Sequence, residues 1–349
     1  MKLMKRIWLR IGNYYRKKQD FEQALKYMRK GEGGITSFND KLLYAELLHN
    51  GGYSDEAVDY LGRVIETTGS HRAYERRAHI LREMDRELEA IADLDQAIAL
   101  NADNYMNWYT RGIAYKDLNR YEEAIRDLKE SIKREDPSTV ISTYYELGMT
   151  YYESRNPAEA AKCFRISIKD PSRAIPMYYY MLSVCLDLMD ELKEAVSVLQ
   201  EGIQLADRYE AEADQGYALF ASSTNYSYGA FLSFQRQMRE AYSFRKHMAD
   251  LHLQLGAFDQ ALTYITEAIE RYPEAYELYL KRADIHKKSG SMQSAKADLE
   301  RAIEAAPDDY RGYFELARLY REDGLEEPAF ELISKLYARM PESPLVCYW

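Results

Sequence analysis

Six histidines, three cysteines and a dense set of carboxylates are the side chains of this 349-residue sequence that could do chemistry. Paired histidines hold a metal when their spacing puts both on one helix face. His49, His71, His79, His247, His252 and His286 show no such spacing, and His247 and His252, five apart, fall on different faces. H-E-x-x-H, G-x-S-x-G and a phosphate-cradling glycine loop are absent. Gly31-Glu32-Gly33-Gly34 reads instead as a helix end and loop. Cys163, Cys185 and Cys347 are scattered, with no C-x-x-C, as expected in a reducing compartment. The many carboxylate pairs read as neighbours on an acidic helical surface. No enzyme activity, metal or cofactor is expected.

The remaining chemistry is that of binding. Tyrosine occurs 32 times against 10 Phe and 3 Trp, so amphipathic rings are used heavily. Residues 216–235 carry no charge and hold Tyr226, Tyr228 and Phe231 around a Ser/Thr/Asn cluster. That cluster disfavours membrane insertion and suggests a helix break with a new N-cap. The segment is expected to pack internally, or else to associate with another copy together with the apolar tail ending in Trp349.

The elements that position these residues repeat. Alanine follows an acidic or polar turn at 24, 57, 90, 124, 160, 195, 241, 261, 295 and 329, with gaps of 33, 33, 34, 36, 35, 46, 20, 34 and 34. Twelve residues before each lies a small residue: Gly12, Ala45, Ala78, Gly112, Gly148, Ser183, Gly229, Ala249, Ala283 and Ala317. Two small residues at a fixed offset let two antiparallel helices approach closely. An aromatic usually stands ahead of the first small residue (Trp8, Tyr74, Trp108, Tyr144, Tyr179, Tyr279, Tyr313) and a large apolar residue three after it, all on one helix face. Pro137, Pro273, Pro307 and Pro341 close units, where a helix cannot continue.

This pattern resembles the tetratricopeptide repeat, best in Trp108, Gly112, Tyr115, Tyr121, Ala124 and Leu128. The resemblance spans nearly the whole chain and implies an all-α, right-handed α-solenoid of about nine to ten helix-turn-helix repeats. The second repeat departs from it: Tyr53 comes one residue early and the first aromatic is missing, so an irregular turn is expected. Residues 203–256 also depart, with a helix near 238–256 expected to serve two neighbouring units. The expected organisation is a first array over 1–202, the irregular segment 203–256, a second array over 257–343 and the tail 344–349.

In this family the first helix of each pair lines the concave wall. The resemblance therefore places Met106, Tyr109, Ile113 and Lys116 of the fourth unit in a groove. Ser142, Tyr145, Met149 and Tyr152 of the fifth and Met177, Tyr180, Val184 and Asp187 of the sixth continue it. Tyr offers contact area at low entropy cost and Met adapts to irregular shapes, so a peptide or helix with apolar anchors would suit this stripe. The carboxylate clamp of some family members is absent, because Leu9 stands where its lysine would and Tyr109, Ile113 and Tyr145 occupy the corresponding surface.

The composition, 46% hydrophobic and 30% charged, fits a folded core. A net charge of -10 argues against nucleic acid, although residues 1–30 carry ten Lys/Arg against two acids. No signal peptide or membrane span is legible, which points to the cytoplasm and away from a membrane partner. The functional expectation is a non-enzymatic adaptor or scaffold that holds a protein or peptide in its groove. A peptide-responsive sensor that sequesters a partner and a structural homo-oligomer are the alternatives.

Overall fold

The computed structural model describes residues 2–18, 20–137, 139–214 and 242–340, and these hold eighteen α-helices and no strand. The chain divides into two compact units, residues 1–167 and 168–349. In the first unit α1 (Lys2–Lys17) pairs with α2 (Phe21–Gly31), α3 (Phe38–Asn50) with α4 (Ser54–Thr68), and α5 (His71–Glu83) with α6 (Glu87–Leu100). Two further pairs follow, α7 (Tyr105–Asp117) with α8 (Tyr121–Arg134) and α9 (Ile141–Glu153) with α10 (Pro157–Ser167). In the second unit the pairs are α11 (Pro176–Leu188) with α12 (Leu192–Asp214) and α13 (Tyr242–Gln254) with α14 (Phe258–Arg271). They are followed by α15 (Tyr276–Lys288) with α16 (Met292–Ala305) and α17 (Tyr310–Glu322) with α18 (Glu326–Arg339). Within each unit every second helix also packs on the first helix of the next pair.

The small residues mark the crossings, as the spacing requires. A β-carbon on Gly148 would lie 2.7 Å from Phe164 Cε1, and one on Gly12 2.6 Å from Met28 Cγ. Leu61, Leu94 and Leu299 stand at the facing place where the small residue is Ala45, Ala78 or Ala283, while Gly112 faces Leu128, whose Cγ would lie 3.0 Å from a β-carbon there. The first-helix aromatic anchors the preceding loop: Trp108 Nε1 donates to Ala102 O at 2.8 Å, and Tyr313 Oη donates to Pro307 O at 3.1 Å. Asn104 and Asp309 cap α7 and α17 by accepting from Met106 N and Arg311 N.

Each pair after the first turns through one residue with positive φ, seven after the small residue. Gly52, Gly256, Gly290 and Gly324 fill it without strain, while Asp85, Asn119, Arg155 and Asp190 hold φ between 56 and 63°. The second repeat, for which an irregular turn is expected, has the same turn: Gly52 supplies the left-handed residue with φ 84°, and Tyr53 precedes α4. Helix α12 runs on for 23 residues, and α13 takes the place of a first helix against α14. Residues 215–241, where the second role of that region was expected, lie outside the described residues.

Candidate functional site

A recurring polar pair underlies the site. The residue before the small residue faces a second-helix residue sixteen positions on. In the third, fourth and eighth pairs of helices this is a two-pronged ion pair. Arg77 grips Asp93 at 2.7 and 2.6 Å, Arg111 grips Asp127 at 2.6 and 2.9 Å, and Arg282 grips Asp298 at 2.9 and 2.6 Å. The aspartates are buried, and fork-on-fork geometry satisfies both of their oxygens. Elsewhere the same two places hold Tyr44 edge-on to Tyr60, with ring centres 5.1 Å apart, or the apolar Leu147 and Cys163. Burial pushes the Tyr60 hydroxyl up to about 12 and Tyr44 higher.

First helices are joined along their length by a second set of pairs. Lys116 donates to Glu146 at 2.7 Å across α7 and α9, and Lys287 donates to Glu315 at 2.7 Å across α15 and α17, at equivalent positions. Arg82 reaches Asp117 at 3.0 Å and His49 contacts Glu83, continuing the ladder over α3, α5 and α7. Glu153 sits beside this ladder, and partial burial raises its carboxyl, assisted by Glu146 and Asp117 and opposed by Lys116.

The residues of α7 and α9 that the sequence assigns to a groove are Met106, Tyr109, Ile113, Lys116, Tyr145, Met149 and Tyr152. Met106 is 46% exposed, whereas Tyr109, Ile113, Lys116, Tyr145, Met149 and Tyr152 are half-buried. Tyr145 leans on Phe164 of its own second helix, with ring centres 5.8 Å apart. Desolvation raises both phenols first, Tyr145 to about 12 and Tyr109 beyond it, and nearby Glu146 adds to both. In the second unit Met177 is half-buried, and Tyr180 packs on Phe244 and His247 at 4.8 and 5.6 Å. The stripe is thus a set of ring faces and one exposed thioether braced by ion pairs. Tyr226, Tyr228, Phe231 and Trp349 lie outside the described residues.

The second unit adds a feature the sequence reading missed. A cavity of about 550 Å³ opens on α13, α15 and α17, with Lys246, Lys281, Arg311 and Arg318 around a floor that includes Leu280 and Phe314. Its volume suits a ligand or side-chain pocket. Its cations come from three helices that are far apart in sequence, and Glu277, Asp284 and Glu315 stand among them. Among the described residues no group of His, Cys, Asp and Glu is arranged to hold a metal, and no helix is long and apolar enough to cross a membrane.

Comparison with known proteins follows the same lines. One tetratricopeptide repeat model matches residues 247–295 and 280–344, and a second matches residues 5–32, 71–104, 107–136 and 141–169. The chain belongs to the tetratricopeptide repeat family, and its repeats make it, in general terms, a protein–protein interaction scaffold. No curated protein matches it in sequence. It is similar in structure to the C-terminal part of a TPR repeat-containing protein from Cytophaga hutchinsonii, at a TM-score of 0.51 and 16% identity over 88% of this chain and 98% of that one. It also resembles Pseudomonas aeruginosa PilF, at a TM-score of 0.48 and 15% identity over 72% and 96% of the two chains. YrrB, described as a TPR protein with an unusual peptide-binding site, aligns at a TM-score of 0.46 and 17% identity over 64% and 96%. The likeness to the Cytophaga hutchinsonii protein shows the fold.

Proposed function

We propose that this chain is a non-enzymatic adaptor that holds a peptide or helix of a partner protein on the first-helix face of α7 and α9. Met106, Tyr109, Lys116, Tyr145, Met149 and Tyr152 supply the contacts, and Met177 and Tyr180 offer the equivalent positions on α11 of the second unit. The observation that carries this reading is Met106: a methionine 46% exposed, one helical turn before the half-buried Tyr109. Large apolar groups held at a surface by a rigid scaffold are what a partner's apolar anchor requires. Lys116, held by Glu146, fixes the spacing of α7 and α9 rather than serving as a free cation.

Affinity capture from cells tests it. Met106→Glu with Tyr152→Glu is expected to lose the partners recovered by the wild-type chain. Leu100→Glu, which changes an exposed residue at the end of α6, is expected to keep them. Recovery of the same partners by the double variant, with an unchanged melting profile, would defeat the groove reading.

A further inference from the structure

Inside each unit, one kind of interface is built repeatedly. The second helix of a pair presents a residue eight positions after its marker alanine to the next first helix. There it meets residues five before and two after the small residue. Ile65 packs with Ala73 and Ile80, and Ile269 packs with Leu278 and Ile285. Ile303 comes so close to Gly312 that a β-carbon there would lie 2.9 Å away. The two first-helix positions are buried in most such interfaces, as Ala73 and Ile80, Asn107 and Ala114, and Leu278 and Ile285, while on α3 Leu47 is buried and Asp40 half-buried.

On α1 the same two positions are Ile7 and Tyr14, which are 43% and 53% exposed. On α18 the second-helix position is Tyr337, 49% exposed, and the residue after the marker alanine is Phe330, 74% exposed. The latter position is buried as Leu25, Ile91 and Lys296 in other second helices. Both halves of the repeating interface are therefore present, and no described element covers either. At one end their charges are complementary, whereas at the other Lys5 of α1 and Lys335 and Arg339 of α18 are alike. Arg16, Lys17 and Lys18 stand at the C-terminal end of α1, and Glu326, Glu327 and Glu331 stand in the N-terminal half of α18. Second helices run antiparallel to the first helix they meet, which brings those two ends together. The pair Lys296–Asp323 joins the corresponding places between α16 and α17.

We propose that α18 of one copy docks on α1 of a second copy, continuing the repeat register from chain to chain. Tyr337 takes the place of the interior isoleucines against Ile7, and Phe330 packs toward Tyr14 and the Lys17–Lys18 end. The contact is heterologous, so each added copy leaves one surface of each kind open, and association proceeds past the dimer unless it closes on itself.

Sedimentation velocity of the full chain over a concentration series tests this. The wild-type mass is expected to rise with concentration beyond that of a dimer and to fall as salt is raised. Ile7→Gln/Tyr14→Gln and Phe330→Gln/Tyr337→Gln change exposed residues to a good helix former. Each variant alone is expected to weaken association at least about tenfold. Their equimolar mixture is expected to stop at the dimer, because one intact surface of each kind remains. A wild-type chain monomeric at about 100 micromolar would overturn the proposal. So would unchanged association of either variant with intact circular dichroism, or a mixture that stays monomeric. Loss of association on deleting residues 341–349, with the Phe330/Tyr337 variant still associating, would overturn it too.

Discussion

At the scale of single residues, the paired positions sixteen apart show that different chemistries can fill one geometric place. Arg111 reaches Asp127 in two prongs and also touches the exposed Asp95 at 2.6 Å. The Asp95 contact adds little, because a surface ion pair is screened and costs side-chain entropy. Asp127 is 2% exposed, and both of its oxygens are held by the guanidinium. Arg111→Leu is expected to lower stability by about 3 kcal/mol in urea unfolding, because it strands a buried carboxylate. Adding Asp127→Cys reproduces the Leu147 and Cys163 of the next pair and is expected to recover most of that loss. If the double variant is as unstable as the single one, the pair does more than fill its place.

At the scale of the helix pair, the close crossing is set by complementary volumes. Gly148 exists because Phe164 fills the space a β-carbon would take, with three ring carbons within 3.0 Å of it. Gly148→Ala is expected to cost about 1 to 3 kcal/mol by overpacking, read as a lowered thermal midpoint. Phe164→Leu in the same chain restores the Ala-with-Leu combination of Ala78 and Leu94 and is expected to reverse most of that cost. This coupling was only half legible in the sequence. The marker alanines and the small residues twelve before them announce themselves by type, since only small side chains serve there. The left-handed turn position does not, because Gly, Asp, Asn and Arg155 all occupy it and only the backbone relates them. The second repeat, which lies outside the matched family segments, holds Tyr44 and Tyr60 at the paired places, and its turn is unchanged. Likewise, the groove stripe was legible as one face of each first helix. The leaning of Tyr145 on Phe164 depends on how far α9 and α10 are apart, which spacing along the chain does not state.

At the scale of the whole molecule, the acidic net charge leaves the histidines as the groups that respond nearest neutral pH. Burial holds His79, His247, His252 and His286 below the ordinary 6.5, and at each it is the largest cause. Glu83 opposes it at His79, Asp187 and Asp250 at His247, and Asp298 at His286, each favouring the proton. A histidine depressed in the fold takes up its proton more readily when the chain unfolds. Stability is then full above about 6.5 and falls as the pH drops toward the folded values. Three of the four histidines belong to the second unit and one to the first, so mild acid is expected to weaken residues 168–349 more. Limited proteolysis at pH 7 and at about 5.5, with fragments identified by mass, is expected to show new cleavage mainly in the second unit. His247→Gln with His286→Gln removes two of its three histidines, and the pH dependence of its thermal midpoint is expected to flatten. An unchanged slope would show that these two histidines do not set the acid sensitivity of the second unit.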